Sequence, residues 1–247
     1  MEFQGGGVTS LLCENRDVVG GCATVLAASE AYPLWAPHYS SETAVSSIED
    51  ELVAAITPPL KGLRLLDVGC GTGRRLRDVE AGHAIGVDLC PEMIAAGADQ
   101  LQWRPRVKTL VGDVRSLPFP DCSFDVVWCR LMIGHVADCG AVYRELARVT
   151  TPDGRVIGSD FHEDAYAAGH RRSFRAGQSV IEVEHHVHSL AKQLREAANA
   201  GLESIAIKQG CIGASVEEFY RSANLADRFR EHLGLPVVLA LAFRRSA

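Results

Sequence analysis

The chain has 247 residues, 47% of them hydrophobic and 23% charged, and a formal net charge of -6. This length allows a full buried core, and α/β chains of this size often form a single domain. The acidic balance disfavours a nucleic-acid partner, and the lack of a long apolar run or a basic-then-apolar start predicts neither a membrane helix nor a secretion signal.

Cysteine usage indicates the expected redox compartment. The eight cysteines are scattered along the chain and form no Cys-x-x-Cys pair. Several lie inside apolar runs, where a thiol behaves as a small hydrophobic group. This pattern favours a reducing cytosol over a disulfide framework or a zinc site, so we predict a cytoplasmic protein.

The start of the chain is predicted to precede the main sheet. Residues 1–31 are predicted to be an N-terminal extension, flexible in part. Residues 32–57 are predicted to form a lid that carries the aromatic side chains of Tyr32, Trp35 and Tyr39. Within this lid a helix is predicted over 41–56, where the run Thr57-Pro58-Pro59 ends it.

Short apolar runs then alternate with helical patterns. Strands are predicted over 64–68, 84–88, 107–111, 124–129, 154–160, 204–208 and 237–243. Helices are predicted over 74–80, 91–100, 139–149 and 190–200. Residues 161–189 break the rhythm and are predicted to be an insertion. Strands and helices that alternate in this way predict βαβ units and a largely parallel sheet covered on both faces.

A glycine-rich segment follows the first of these strands. Gly69, Gly71 and Gly73 lie in the run LLDVGCGTGR, where glycine lets the backbone approach a ligand closely. Taken alone, this spacing is also compatible with a tight turn that binds nothing. Asp67 would oppose a pyrophosphate at this turn, but it suits a ligand that carries an ammonium group. Asp88 ends the next strand, where a carboxylate can accept both hydroxyls of a ribose.

Five ordered blocks give the sequence a family resemblance. After LLDVGCGTGR come GVDLCPEM at 86–93, GDV at 112–114, LPFPDCSFDVV at 117–127, and RELARV followed by PDG at 144–154. Over residues 32–160 the chain resembles the class I methyltransferases, in the subgroup of quinone-biosynthesis C-methyltransferases and small-molecule enzymes. The resemblance implies a single methyltransferase domain over 32–247. Its fold would be α/β and Rossmann-like, a doubly wound, mostly parallel seven-stranded sheet with an antiparallel last strand.

The resemblance also assigns S-adenosylmethionine as the cofactor and implies which residues bind it. The glycines would lie against its methionine part, with Asp67 near the ammonium group, and Asp88 would bind the ribose. The remaining residues implied to bind the cofactor are Leu89, Met93, Asp113, Val114, Cys129, Arg130 and Tyr39. For Leu89 and Met93, packing in the core is an alternative or additional role.

Histidines are the candidate bases, because the pKa of an unperturbed histidine is near ~6.5. His135 follows the fourth strand, where it would act as a base or support the methionine end of the cofactor. His162 lies just beyond the end of a parallel strand, at the edge of such sheets where ligands bind. Tyr32, Trp35, His170 and His185 are further candidates for contact with the acceptor.

The insertion is predicted to contain a strand over 180–188. Alternation would place Glu182, Glu184, His186 and His188 on one face and Val183, His185 and Val187 on the other. The first face could hold a divalent metal, or its side chains could pair with Arg171, Arg172 and Arg175. We favour the second interpretation and predict no metal site.

The predicted function is methyl transfer to a small-molecule acceptor, with an oxygen or carbon nucleophile favoured and nitrogen possible. Two alternatives stay open at this point. The first is a non-catalytic protein that binds S-adenosylmethionine. The second is an NAD-dependent oxidoreductase, which Asp67 disfavours. The sequence does not indicate the acceptor or the oligomeric state.

Overall fold

A seven-stranded α/β sheet forms the centre of the protein. The computed structural model describes residues 23–39 and 42–246. Its strands in chain order are β1 (Thr24–Leu26), β2 (Arg64–Val68), β3 (His83–Asp88), β4 (Val107–Val111), β5 (Phe124–Arg130), β6 (Thr150–Phe161), β7 (Ser173–Ala176), β8 (Ser179–Val183), β9 (Leu202–Cys211) and β10 (Pro236–Arg245). The order across the large sheet is β4-β3-β2-β5-β6-β10-β9.

The predicted doubly wound sheet is confirmed, including its antiparallel last strand. Strands β2 to β6 pair in parallel, and β10 runs antiparallel to both β6 and β9. The central parallel strands are apolar on both faces because helices cover both. Strands β6, β9 and β10 extend beyond their predicted bounds because the antiparallel ladder continues past the apolar runs, for example at Arg244 opposite Arg155.

Helices flank the sheet. They are α1 (Ala28–Trp35), α2 (Ala44–Ile56), α3 (Pro91–Leu101), α4 (Cys139–Val149), α5 (Glu163–Ala167), α6 (Leu190–Asn199), α7 (Glu217–Ser222) and α8 (Ala226–His232). Helix α2 begins with a capping box in which the Thr43 side chain accepts from the Ser46 amide. The predicted start of this helix at Ser41 lies outside the described residues. No described helix is long and apolar enough to span a membrane.

The predicted helix over 74–80 is wrong. Only a single 3-10 turn, Arg74–Leu76, follows the glycine-rich segment. Soon afterwards the amides of Gly82 and His83 bond to the carbonyl of Leu63. These bonds fix the start of β3 a few residues after the 3-10 turn, so the segment between them is too short for a longer helix.

The insertion folds as a small sheet of its own. Strands β7 and β8 form an antiparallel hairpin, and β1 pairs in parallel with β8. The predicted strand over 180–188 is wrong beyond Val183, and so is its alternation of faces. The reason is that the backbone leaves the hairpin there, and the His186 amide bonds to the Gly134 carbonyl beside the main sheet.

A buried ion cluster ties α2 to the sheet. The Glu49 side chain is fully enclosed, and both of its oxygens accept from Arg130, at 2.9 and 2.7 Å. Arg75 and the hydroxyl of Ser159 also donate to it, at 2.7 and 2.5 Å. Burial by itself raises the pKa of Glu49, but Arg75 and Arg130 outweigh burial and hold this pKa at about 2. The cluster therefore joins α2, β5, β6 and the turn after the glycines.

We expect Glu49→Gln to destabilise the protein by about 3 kcal/mol at neutral pH. The reason is that two buried guanidinium groups, those of Arg75 and Arg130, lose the negative charge of their shared partner. A lowered folded-state pKa gives stability that is complete above the unfolded value of 4.5 and is lost as the pH falls towards about 2. The difference between variant and wild type should therefore shrink across that window in urea unfolding. Glu51→Gln, an exposed change on the same helix, is the control. A constant difference down to pH 2 would contradict this account.

A second constraint is the contact between α3 and the glycine-rich segment. A Cβ at Gly97 would overlap the carbonyl oxygen of Thr72. We expect Gly97→Ala to lower the free energy of unfolding by about 1–3 kcal/mol, because backbone cannot yield as a flexible side chain does. Ala96→Ser on the exposed side of α3 is the control. Equal urea midpoints for both variants would show that α3 does not approach the segment so closely.

Candidate functional site

A cavity of about 550 Å³ opens at the carboxyl ends of the parallel strands. One wall consists of the segments that follow β2, β3 and β4, and the opposite wall consists of α1, the loop after β5 and part of the insertion. Ligands of open α/β sheets bind at this edge. The cavity brings together residues that lie far apart in the sequence, from Ala27 to Glu184.

The glycine-rich segment forms the floor of the cavity. Gly69, Gly71 and Gly73 have φ of 72°, 58° and 68°, conformations that disfavour a side chain. The amide of Gly69 bonds to the carbonyl of Val87 at 2.8 Å and holds the segment against β3. A Cβ at Gly69 would overlap the side chain of Met132. Gly69 and Gly71 line the cavity, whereas Gly73 lies behind it.

Asp88 presents a preoriented carboxylate at the end of β3. Its Oδ2 accepts from the Gly71 amide at 2.7 Å, and its Oδ1 accepts from the Cys90 amide at 2.9 Å. Burial raises the pKa of this carboxyl, and the backbone hydrogen bonds partly offset that effect. Each carboxylate oxygen can accept a further bond. Asp88 thus suits a ligand with two adjacent hydroxyls.

Asp67 lies beneath the glycine-rich segment and does not line the cavity. Its side chain is fully buried, and its Oδ2 has no hydrogen-bond partner. Burial raises the pKa of Asp67 to about 6, although Arg75 and Arg130 act in the opposite direction. A buried acceptor without a partner is costly in a resting structure. A cation bound nearby would favour its ionised form.

The other predicted cofactor residues divide into two groups. Leu89, Met93, Asp113 and Val114 line the cavity together with Arg130 and Tyr39. Leu89 is 53% exposed, which suits contact with a ligand, whereas Met93 is buried against Gly71. Asp113 accepts from both the amide and the guanidinium of Arg115. Cys129 is buried in the core and does not reach the cavity.

Three aromatic residues of the predicted lid form one cluster, in which Tyr32 stacks on Trp35 and Tyr39 meets both rings edge-on. The rings of Tyr32 and Trp35 lie 5.7 Å apart, and Trp35 meets Tyr39 at 4.9 Å. Trp35 also stacks on Phe174 of the insertion at 4.7 Å. Tyr32 and Tyr39 line the cavity, but Trp35 does not. The structure therefore places Trp35 in packing between α1 and the hairpin.

A hydrogen-bonded chain crosses the second wall. The Tyr32 hydroxyl lies 2.9 Å from His135 Nε2 and accepts from Arg172 Nη1 at 2.8 Å. His135 Nδ1 lies 3.3 Å from the carbonyl oxygen of Glu184. A carbonyl can only accept, so we assign the proton to Nδ1, and Nε2 accepts from Tyr32. Burial, with Arg172 adding to it, lowers the pKa of His135 well below 6.5.

His185 lies behind His135, outside the cavity lining. The two imidazole rings are 5.7 Å apart, and His185 Nε2 lies 3.5 Å from Asp160 Oδ1. Both groups are buried, which lowers the pKa of His185 and raises that of Asp160. Burial therefore disfavours the charged form of both groups. A Cβ at Gly134 would overlap the His185 ring, so glycine is required there.

The remaining predicted histidines lie away from the cavity. His162 caps α5 by accepting from the Asp164 amide, and its Nε2 lies 3.0 Å from Gln209. The ring of His170 lies 4.6 Å from that of His232. The placement of neither residue supports the predicted contact with an acceptor, because both side chains pack beside α5, β9 or α8 instead. No grouping of three metal-ligating side chains occurs within residues 23–39 and 42–246.

Several residues of the site escaped sequence reasoning. The sequence does mark Glu49 as unusual, because this acid lies among the apolar positions Val45, Ile48 and Val53 of an amphipathic helix. The sequence pattern predicts Arg172 only as a partner for acidic side chains. Leu131 has φ of 52°, and no sequence pattern indicates this conformation. Met132, which follows Leu131, covers Gly69.

Comparisons with known proteins find similarity to methyltransferases. The family model described as a methyltransferase domain matches residues 66–158. The 27-O-demethylrifamycin SV methyltransferase of Amycolatopsis mediterranei is 34% identical over 172 residues, which cover 66% of this chain and 61% of that protein. The malonyl-[acyl-carrier protein] O-methyltransferase of Halorhodospira halophila is 35% identical over 122 residues, covering 46% of this chain and 40% of that protein.

The fold is shared with solved structures. An S-adenosylmethionine-dependent methyltransferase from Mesorhizobium loti matches with a TM-score of 0.63 and 21% identity, covering 80% of this chain and 98% of that one. The chain spans less than two thirds of the length of the two relatives named above, at 61% and 40%. With the glycine-rich segment, Asp88 and the sheet order in place, residues 66–158 match a methyltransferase domain, and the chain has the fold of S-adenosylmethionine-dependent methyltransferases.

Proposed function

We propose that this protein transfers a methyl group from S-adenosylmethionine to an oxygen or carbon atom of a small-molecule acceptor. The observation that carries the proposal is a cavity with two chemically different walls. One wall carries the close-approach glycines and Asp88, and the other carries the chain of Tyr32, His135 and Arg172. A candidate nucleoside site thus faces a candidate proton acceptor across this cavity.

The first wall would hold the cofactor. Asp88 would accept from the ribose hydroxyls, with Asp113 and Leu89 near the adenine. Gly69 and Gly71 leave room for the methionine part, and the buried carboxyl of Asp67 favours a cation there. When bound, S-adenosylmethionine supplies an electrophilic methyl group on a positively charged sulfur. The protein's own task is to position the nucleophile and exclude water.

The second wall would handle the proton of the acceptor. His135 is neutral and presents Nε2 as an acceptor, while its Nδ1–H is fixed on the Glu184 carbonyl. The acceptor gives its proton to the Tyr32 hydroxyl oxygen, and Tyr32 passes its own proton to His135 Nε2. A positioned base of this kind contributes typically 10²–10⁴-fold to a rate. His185 and Asp160 would keep the His135 ring in place.

Relatives indicate the range of acceptors. Their names include a malonyl-[acyl-carrier protein] O-methyltransferase, a 27-O-demethylrifamycin SV methyltransferase and a demethylmenaquinone methyltransferase. Two of these three are named for transfer to oxygen. The cavity size and the aromatic side chains of Tyr32 and Tyr39 support a small molecule.

Binding of the cofactor product tests the first wall. We expect Asp88→Ala to weaken binding of S-adenosylhomocysteine by about 100-fold, because two hydrogen bonds to a charged carboxylate are lost. Isothermal titration calorimetry measures this, with Asp99→Ala on the exposed side of α3 as the control. Tight NADH binding by the wild type without S-adenosylhomocysteine binding would contradict the proposal.

The rate of methyl transfer tests the second wall. With an acceptor found by screening hydroxylated compounds for S-adenosylhomocysteine release, we expect His135→Ala to lower kcat by about 10²–10⁴-fold. The affinity for S-adenosylhomocysteine should stay unchanged. Because the pKa of His135 is lowered, wild-type kcat should stay flat as the pH falls to 6.5. Unchanged kcat in His135→Ala, with a folded protein by circular dichroism, would exclude a role as base.

A further inference from the structure

Arg172 is a cation of the cavity wall that the proposed chemistry leaves without an anionic partner. It lines the cavity, and its Nη1 donates to the Tyr32 hydroxyl at 2.8 Å. Its Nε is enclosed and has no hydrogen-bond partner within residues 23–39 and 42–246. Its guanidinium carbon lies 5.2 Å from the centre of the Phe161 ring. Arg172 is therefore fixed in place by neutral aromatic groups.

Neighbouring arginines are paired in the usual way. Arg130 and Arg75 share Glu49 and Asp50, and Arg171 lies 3.7 Å from Glu182. Among the described residues, no aspartate or glutamate forms an ion pair with Arg172. A partly buried guanidinium without a counterion is costly, and such groups persist where a ligand supplies the opposite charge.

Asp160 is the carboxyl group that raises the pKa of Arg172, but it neutralises the positive charge of Arg172 only in part. It accepts from the Phe161 amide at 2.8 Å and lies beside His185. Burial raises the pKa of Asp160 to about 7. Its carboxyl is therefore protonated in about half of the molecules at pH 7 and offsets the charge of Arg172 only in part.

The position of Arg172 separates it from the nucleoside wall. Asp88 and Asp113 follow β3 and β4 on one side of β2, whereas Phe161 ends β6 on the other side. Arg172 contacts Phe161 and, through Tyr32, His135, which follows β5. The free guanidinium thus faces the part of the cavity where the acceptor would lie.

We propose that the acceptor carries a carboxylate group and that Arg172 binds it. A planar guanidinium matches the geometry of a carboxylate and prefers it to a neutral group. Bound in this way, the acceptor would neutralise Arg172 and place its nucleophile beside Tyr32 and His135. This inference rests on the proposed methyl transfer, because it identifies the acceptor of that same site.

The methionine carboxylate of the cofactor is the other possible source of the negative charge. Replacement of Arg172 distinguishes the two sources, because each predicts a different change in binding affinity. If Arg172 binds the acceptor, its removal weakens acceptor binding and leaves cofactor binding intact. If it binds the methionine carboxylate, cofactor affinity falls.

The experiment compares wild type, Arg172→Met and Arg171→Met, each saturated with S-adenosylhomocysteine. Benzoate and its neutral analogue benzamide serve as probes in calorimetric or NMR titrations. We expect saturable benzoate binding by wild type and Arg171→Met, at least 10-fold weaker benzamide binding, and at least 10-fold weaker benzoate binding by Arg172→Met. Arg172→Lys should recover part of the benzoate affinity, because the charge remains without the planar fork.

Each other outcome overturns the proposal. Absence of saturable benzoate binding, or equal binding of benzamide, shows that the wall does not select a carboxylate. A fall in S-adenosylhomocysteine affinity in Arg172→Met assigns the arginine to the cofactor instead. Failure of the wild type to bind S-adenosylhomocysteine refutes the proposed function itself, so the two failures are distinguishable. Thermal unfolding of Arg172→Met controls for loss of structure, and Arg172→Lys keeps the test valid if the methionine variant does not fold.

Discussion

The carboxylate of Glu49 is the interaction on which the arrangement of the site depends. It accepts hydrogen bonds from side chains of β5, β6 and the turn after the glycine-rich segment. Helix α2, which carries Glu49, also packs against β10. A single buried anion therefore fixes the distance between α2 and the strands that end at the cavity. Two guanidinium groups outweigh its burial, so it stays ionised where an isolated acid would not.

The two walls of the cavity differ in electrostatic character. On the nucleoside side, Asp67 and Asp88 are enclosed acids, a setting that favours a ligand with hydroxyl groups and a positive charge. On the opposite side, burial together with Arg172 keeps His135 neutral, and Arg172 forms no ion pair with an acid among the described residues. A cationic cofactor and an anionic acceptor would each find the complementary wall. Such a distribution positions the two reactants before any chemical step.

Much of the fold was predictable because its signals are local. The central strands are continuous apolar runs, and each is followed by a turn that glycine or an acid marks, as at Gly69 and Asp88. The acceptor side was not predictable in the same way. The run from Val180 to His188 has strand-like alternation, but a tertiary bond from the His186 amide to the Gly134 carbonyl ends the strand early. His162 and His170 have the right chemistry for a site, yet contacts with Gln209 and His232 hold them elsewhere.

The close approach of His185 to Gly134 limits how the acceptor-side segments of related methyltransferases can differ in sequence. The imidazole occupies the space that a side chain at position 134 would need, so the insertion and the loop after β5 interlock. In a relative that carries a side chain at position 134, the insertion of this chain would fit only if the residue at the His185 position were small. The two positions form a matched pair for chimaera design. Exchange of substrate specificity by grafting therefore has to transfer both segments together.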